Sequence, residues 1–220
     1  MDKISFRITA DGSHTLYLED LDETYHSKHG AIQEAMHVFI DAGLKSCNKS
    51  NLNILEIGFG TGLNTFLTLQ ESNNTIINYT SLEAYPLKDT ILSQLNYTKE
   101  LNLDADGIEK FNKLHKVEWG TYQEITPTFN LDKEKVELVN YKTTEKFDII
   151  YFDAFGPNVQ PEMWEKAIFE NMYNVLNENG ILVTYCAKGS VKRALKEVGF
   201  EVEPLPGPPG KREMTRARKL

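Results

Sequence analysis

A chain of 220 residues, 40% hydrophobic and 25% charged, suits one α/β domain with a full core and does not suit a disordered, collagenous or membrane-spanning protein. No apolar run reaches the ~18–20 residues a bilayer requires. The stretch after Met1 does not read as a signal peptide, and Cys47 and Cys186 alone suggest neither a disulfide scaffold nor a thiolate metal site, so a cytoplasmic protein without metal is expected.

The net charge of −8 argues against a polyanion partner for the chain as a whole, but nine Lys or Arg against four Glu lie between Lys188 and Leu220. An acidic body with a basic end can still hold a polyanion at one face.

Residues 1–45 read as an N-terminal extension packed on a main domain of residues 46–220. Phe6-Arg7-Ile8-Thr9 and Thr15-Leu16-Tyr17-Leu18 have the look of two short strands around the turn Asp11-Gly12-Ser13. Tyr25 to Gly30 reads as a loop. Ala31 to Ala42 reads as a helix, with Ile32, Ala35, Met36, Phe39 and Ile40 on one side and Gly43 as its stop.

The most informative segment follows. Asn53 to Ile57 reads as a buried strand, Gly58, Gly60 and Gly62 alternate after it, and Leu63 to Gln70 reads as a helix. Glycine permits a sharp turn and close approach of a ligand, and the opening helix presents free N–H groups and a positive dipole end. The spacing E-x-G-x-G-x-G departs from the dinucleotide fingerprint. Glu56 just before the turn would repel a diphosphate and suit a cationic ligand. S-adenosylmethionine fits, since it carries a sulfonium and an ammonium and no phosphate. A second strand, Ile76 to Leu82, ends in Glu83, a carboxylate able to accept from both ribose hydroxyls.

Beyond it, a helix is expected from about Lys88 to Leu101 and a short strand from Lys116 to Trp119 ending at Gly120-Thr121. The stretch from Phe129 to Tyr141 is less regular and has room for one hairpin. Phe147 to Phe152 is a strong buried strand, Glu162 to Leu176 a helix, and Ile181 to Cys186 another strand. Ser190 reads as the cap of a helix to Val198, before two closing strands near Phe200–Glu203 and Arg212–Ala217. Alternating strands and helices imply a mainly parallel, seven-stranded, Rossmann-like sheet, and the closing strand pair implies an antiparallel end. Glu56 with its turn, Glu83, Gly120-Thr121, Asp153 and Ala187-Lys188 all fall at strand ends, so one crevice should collect them.

Asp153, in Phe152-Asp153-Ala154-Phe155-Gly156-Pro157, should project into that crevice. Methyl transfer from a sulfonium needs a lone pair aligned opposite the leaving sulfur, so positioning supplies much of the rate. An alkyl amine must also lose a proton first, which gives Asp153 the task of orienting the amine and taking its proton.

Leu55 to Asn64, then Phe152 to Pro157 with Pro161-Glu162-Met163-Trp164, then Gly199-Phe200 and Gly210-Lys211-Arg212-Glu213-Met214, resemble the motifs of the MnmC methyltransferase-domain family. Asp11-Gly12-Ser13, Tyr25-His26-Ser27 and His29-Gly30-Ala31 resemble the N-terminal piece of its stand-alone relatives. The resemblance covers nearly the whole chain. It implies a Rossmann-like methyltransferase using S-adenosylmethionine on the aminomethyl group of 5-aminomethyl-2-thiouridine at the tRNA wobble position. It places the turn of Gly58, Gly60, Gly62, Leu63 and Asn64, with Glu56 and Glu83, around the cofactor and Asp153 facing the amine; Gly120, Thr121 and Asp153 are further cofactor candidates from their strand ends. The 220 residues leave no room for the oxidase domain of the bifunctional family members.

On this reading the anticodon arm is the partner. Lys188, Lys192, Arg193, Lys211, Arg212, Arg216 and Arg218 are candidates for phosphate contacts. Tyr25, His29, Phe155 and Pro157, with Trp164 as a further aromatic, are candidates around an extruded uridine. Two other readings stay open: an aminopropyltransferase of the spermidine synthase type, and a non-catalytic tRNA-binding relic.

Overall fold

The computed structural model describes residues 3–220. Three short strands, β1 (Ile4–Ile8), β2 (His14–Leu18) and β3 (Glu23–Thr24), form an antiparallel sheet of their own. Helix α1 (Ala31–Ala35) runs on as a π-helical turn, Met36–Asp41, where the Ala42 N–H reaches back to the His37 carbonyl. The periodicity of this stretch correctly indicated a helix, but not the wider last turn. Leu16, Ala31, Val38, Phe39 and Ile40 are buried in the same apolar cluster as Ile54, Phe66 and Tyr151, so the extension shares the main core.

The main sheet is built from β4 (Asn51–Ile57), β5 (Ile76–Glu83), β6 (Tyr122–Thr126), β7 (Phe129–Lys135), β8 (Phe147–Phe152), β9 (Leu176–Thr184), β10 (Glu201–Pro206) and β11 (Glu213–Arg218). Their spatial order is β10-β11-β9-β8-β4-β5-β7-β6. The five inner strands β9-β8-β4-β5-β7 are parallel, and β11, β10 and β6 join them antiparallel. Helices α2 (Leu63–Glu71), α3 (Asp89–Leu92), α4 (Tyr97–Glu100), α5 (Ala105–Lys116), α6 (Lys166–Val175) and α7 (Gly189–Val198) complete the order. The sheet has eight strands where seven were expected. The strand expected at 116–119 is absent and the β6–β7 hairpin adds two; only β7 falls in the stretch 129–141, and its partner β6 precedes it.

Four local expectations fail. The helix read over 162–176 is a 3-10 turn, Pro161–Trp164, then α6 from Lys166, with Glu165 extended between them and Leu176 already in β9. The helix read over residues 88–101 is two single turns, α3 and α4. Between them Asn96 accepts from the His14 N–H at 2.7 Å and donates to the Gly12 carbonyl at 2.9 Å, so contacts with the extension interrupt the helix. No strand occupies 116–119; α5 reaches Lys116, capped at its start by Asp104, which accepts from the Gly107 N–H at 2.8 Å. Ser190 lies inside α7, whose N-cap is Lys188.

The chain leaves β4 toward β5 on one side and returns through β8 on the other. This reversal of strand order opens a crevice at the carboxyl ends of β4 and β8. Among the described residues no helix is long and apolar enough to cross a membrane.

Candidate active site

The glycine turn leaves β4 inside this crevice. Gly58 has φ +93°, and a Cβ there would lie 2.8 Å from the Asp153 carbonyl, so close approach of two strand-end turns demands glycine. The Gly58 and Phe59 N–H groups bond to the Leu82 carbonyl, tying the turn to β5. Glu83 then locks it from the side: one carboxylate oxygen accepts from the Gly60 N–H at 3.0 Å and the other from the Tyr85 N–H at 2.9 Å. Each oxygen retains a second lone pair for a ligand hydroxyl.

Asp153 follows β8, its N–H bonded to the Ile57 carbonyl. Its Oδ2 accepts from Asn64 Nδ2 at 2.8 Å, which links it to the first turn of α2. Burial pushes its carboxyl up to about 7; the Asn64 hydrogen bond and Lys211 oppose this, and Glu34 adds to it. The loop beyond is held by two side chains: Tyr185 donates to the Ala154 carbonyl at 2.9 Å, and Trp164 Nε1 donates to the Phe155 carbonyl at 2.7 Å. These carbonyls thus serve the loop's own shape. Trp164 is 6% exposed and packs on Phe152 and Phe169, a core residue rather than a base-stacking one.

Turn and loop face a cavity of about 1260 Å³, above the ~300–1,000 Å³ of a usual small-molecule site. Gly58, Gly60, Leu63, Asn64 and Glu83 line one part of it, Asp153, Phe155 and Tyr25 another. Tyr25 and Phe155 meet edge to face with ring centroids 5.2 Å apart. The extension also supplies His26, Ser27 and Glu34, and the C-terminal loop supplies Lys211.

Several expected residues lie elsewhere. Glu56 is fully buried beneath the turn, outside the cavity wall, where its Oε2 accepts from Thr65 Oγ1 at 2.9 Å and Ser81 Oγ at 2.6 Å. Burial pushes its carboxyl up to about 8, opposed by the Ser81 and Thr65 bonds and helped by Asp153. It therefore fastens α2 to β5 under the turn instead of facing a ligand. Gly62 closes the turn from behind against His115 and Phe59.

Gly120 and Thr121 precede β6, outside the cavity, because the strand meant to deliver them is helix and connector. The strand end that does reach the cavity is that of β7, with Lys135, Val136, Glu137 and Leu138. Pro157, Lys188 and Arg212 do not line it. His29 is exposed and packs on Gly210, and its neighbour His26 takes the wall position. The His26 N–H bonds to Thr15 Oγ1 of β2 at 2.9 Å and its ring meets Tyr97 edge to face, contacts across the chain that no local sequence pattern announces.

The basic end is largely spent on internal ion pairs. Lys192 meets Glu213 at 2.6 Å, Arg216 meets Glu203 at 2.6 Å, and Lys211 meets Glu34 at 2.5 Å. Arg218 lies 3.6 Å from Glu203.

The donor set fits a cationic, hydroxyl-bearing nucleoside. Glu83, at the end of β5, keeps lone pairs for ribose hydroxyls, and a second carboxyl, Asp153, stands at the end of β8 in the same cavity. Glu56 lies under the turn, so its charge does not bear on a diphosphate, contrary to the expectation from sequence. Glu83 and the backbone of the turn would hold S-adenosylmethionine, with Leu63 and Asn64 at the helix start.

Comparison with known proteins bears on this geometry. The bifunctional tRNA 5-methylaminomethyl-2-thiouridine biosynthesis protein MnmC of Cupriavidus metallidurans is 30% identical over 220 residues, covering 93% of this chain and 32% of that protein. Its counterpart from Leptospira borgpetersenii is 29% identical over 215 residues, covering 88% and 32%. The chain thus spans about a third of the length of the curated relatives it matches. The crystal structure of MnmC2 from Aquifex aeolicus superposes with a TM-score of 0.80 at 25% identity, covering 99% of this chain and 70% of that one. Spermidine synthase from Thermotoga maritima, at TM-score 0.58 and 14% identity over 100% of this chain and 69% of its own, shares the fold alone. Residues 107–220 match the family model described as S-adenosyl-L-methionine-dependent methyltransferase. With the glycine turn, Glu83 and Asp153 gathered around one cavity, the chain belongs to this family of S-adenosyl-L-methionine-dependent methyltransferases.

Proposed function

We propose that the chain methylates the exocyclic amine of 5-aminomethyl-2-thiouridine at the tRNA wobble position, in the cytoplasm. The relatives bear the name of 5-methylaminomethyl-2-thiouridine biosynthesis in tRNA, and the methyl group in that name sits on an amine nitrogen. The observation that carries the reading is Asp153: a carboxyl raised to about 7 and oriented by Asn64, beside the glycine turn in a cavity larger than one small ligand needs.

S-adenosylmethionine supplies an electrophilic methyl carbon on a sulfonium. Asp153, in its ionised form, takes a proton from the incoming ammonium and passes it on to solvent. The nitrogen lone pair freed in this way would be the nucleophile toward that methyl carbon, the displaced sulfonium becoming a neutral thioether, with the proton handed to Asp153. Tyr25 and Phe155 present aromatic faces suited to a splayed-out base, and the loop ties from Tyr185 and Trp164 keep Asp153 in line. The anticodon arm would lie over this mouth. Of the basic residues expected to meet its phosphates, Lys188 and Arg212 stay exposed, whereas Lys192, Arg216 and Arg218 are engaged with Glu213 and Glu203.

The test is nucleoside mass spectrometry after incubating purified protein and S-adenosylmethionine with aminomethyl-bearing tRNA. A gain of one methyl on the wobble uridine is expected. No gain there, together with aminopropyl transfer to putrescine from decarboxylated S-adenosylmethionine, would overturn the reading in favour of a polyamine enzyme.

A further inference from the structure

The N-terminal extension and the glycine turn meet at one buried hydroxyl. Tyr97, in the single turn α4, is fully buried. Its Oη lies 2.9 Å from the His14 carbonyl, at the start of β2, and 3.2 Å from Thr61 Oγ1 in the glycine turn. The preceding residue, Asn96, accepts from the His14 N–H at 2.7 Å, so two consecutive side chains take both backbone polar groups of His14. From there the strand leads to the cavity wall formed by Tyr25 and His26. Thr15 Oγ1 accepts from the His26 N–H at 2.9 Å, and the Leu16 carbonyl accepts from the Tyr25 N–H at 2.9 Å. The His26 ring stands edge to face on Tyr97 itself, with centroids 6.3 Å apart. Thr61, Tyr25 and His26 line the cavity, and Tyr97 does not.

We propose that Tyr97 is a positioning residue that registers the Tyr25–His26 wall on the cofactor turn, so that occupancy of the turn and seating of the acceptor reinforce each other. The identity of that acceptor rests on the amine-methylating reading above; the bridge between the two halves does not.

A tyrosine hydroxyl carries one hydrogen, and a carbonyl can only accept. Tyr97 therefore donates to His14 and Thr61 donates to the Tyr97 oxygen, one directed chain from turn to strand. Burial raises the phenol further above its ordinary range, against the Thr61 bond, so the hydrogen stays in place near neutral pH. Phenylalanine would fill the same space between His26 and Phe111, so ring packing does not account for the hydroxyl. A buried hydroxyl costs free energy unless it is partnered, and here each half of the site supplies one partner. The Tyr25 ring also abuts Gly60, a van der Waals contact that sets no register. A cofactor settled on the turn fixes Thr61, and the chain carries that constraint to His14 and the strand holding Tyr25 and His26. The effect is reciprocal by linkage: an acceptor seated against this wall steadies the turn. Displacement at a methyl carbon rewards such registration, because donor and acceptor are held by different halves.

The experiment is amide hydrogen exchange read by mass spectrometry on the full chain, with and without saturating S-adenosylhomocysteine. In the parent the ligand should slow exchange over the turn, residues 58–63, and also over residues 14–27, by about tenfold. Tyr97→Phe should keep the protection of the turn and lose that of the extension. Thr61→Val cuts the chain at its other end and should do the same, so the test survives if one variant folds poorly. Thr61→Ser, which restores the hydroxyl, should recover the parent pattern. On aminomethyl-bearing tRNA, Tyr97→Phe should lower kcat roughly tenfold to a hundredfold, with KM for S-adenosylmethionine nearly unchanged. Extension protection that is missing in the parent, or that survives in both Tyr97→Phe and Thr61→Val, would overturn the proposal. Protection that depends on Tyr97, with no methyl transfer to tRNA by the parent protein, would support the bridge and reject the substrate.

Discussion

Three carboxyl groups lie around the glycine turn, and burial gives each a different task. Glu83 is half-exposed, clamped by two backbone N–H groups, and directed at the cavity. Asp153 is held by Asn64 and raised to about 7, inside the range a general base near neutral pH requires. Asp153→Asn should therefore keep S-adenosylmethionine affinity within about twofold by calorimetry while turnover drops roughly 10²–10⁴-fold. Equal turnover in this variant would remove Asp153 from the chemistry. Glu56, raised to about 8 and out of reach of a ligand, is a structural carboxyl. Its folded value lies above its unfolded one, so the fold binds the extra proton. Stability from this group is complete below the ordinary carboxyl range and falls as pH rises from 4.5 toward 8. Glu56→Gln should flatten that decline in chemical denaturation between pH 5 and 8; an unchanged slope would assign the decline elsewhere.

Single elements show where local pattern sufficed. β5 and β8 have the bounds their apolar runs suggested, because a strand buried on both faces carries its own signal. Helix α5 has a weaker local signal: Asp104 caps it and Ile108, Phe111 and His115 follow at helical spacing, but Gly107 stands in its first turn. Asp104→Ala should cost about 1 kcal/mol in denaturant unfolding. It should also weaken cofactor binding slightly, because His115 at the end of α5 backs the turn at Gly62. The turn itself is less forgiving. Gly58→Ala places a methyl 2.8 Å from the Asp153 carbonyl at φ +93°, so it should lower stability by roughly 1–3 kcal/mol. Binding of S-adenosylmethionine should fall with it. A variant with parental melting and binding would show that the two turns can separate freely.

At the scale of the molecule, the extension and the C-terminal loop close over one side of the cavity. His37 Nε2 lies 2.8 Å from the Pro206 carbonyl, His29 packs on Gly210, and Glu34 holds Lys211. Gly210 has φ +83°, and a Cβ there would stand 2.1 Å from the His29 ring. Gly210→Ala should push the two loops apart, raising KM for the tRNA several-fold while leaving cofactor affinity unchanged. Parental KM would show that these loops do not shape the acceptor end. The same closure explains the fate of the basic end: its cations are drawn onto Glu34, Glu203 and Glu213, carboxylates that lie far apart in sequence or across a strand pair.

The sequence by itself determined the glycine turn, Glu83 and Asp153 at strand ends, the parallel sheet and the cofactor class. Each of these depends on short-range chemistry: apolar runs that must be buried, glycines that must turn, and acids placed immediately after strands. Only the tertiary structure decided that Glu56 lies under the turn, that His26 and not His29 reaches the cavity, and that Lys211 pairs with Glu34. Those outcomes depend on which way a side chain faces and on which distant charge it meets. Both are set by packing among elements up to 177 positions apart, a separation no local pattern records.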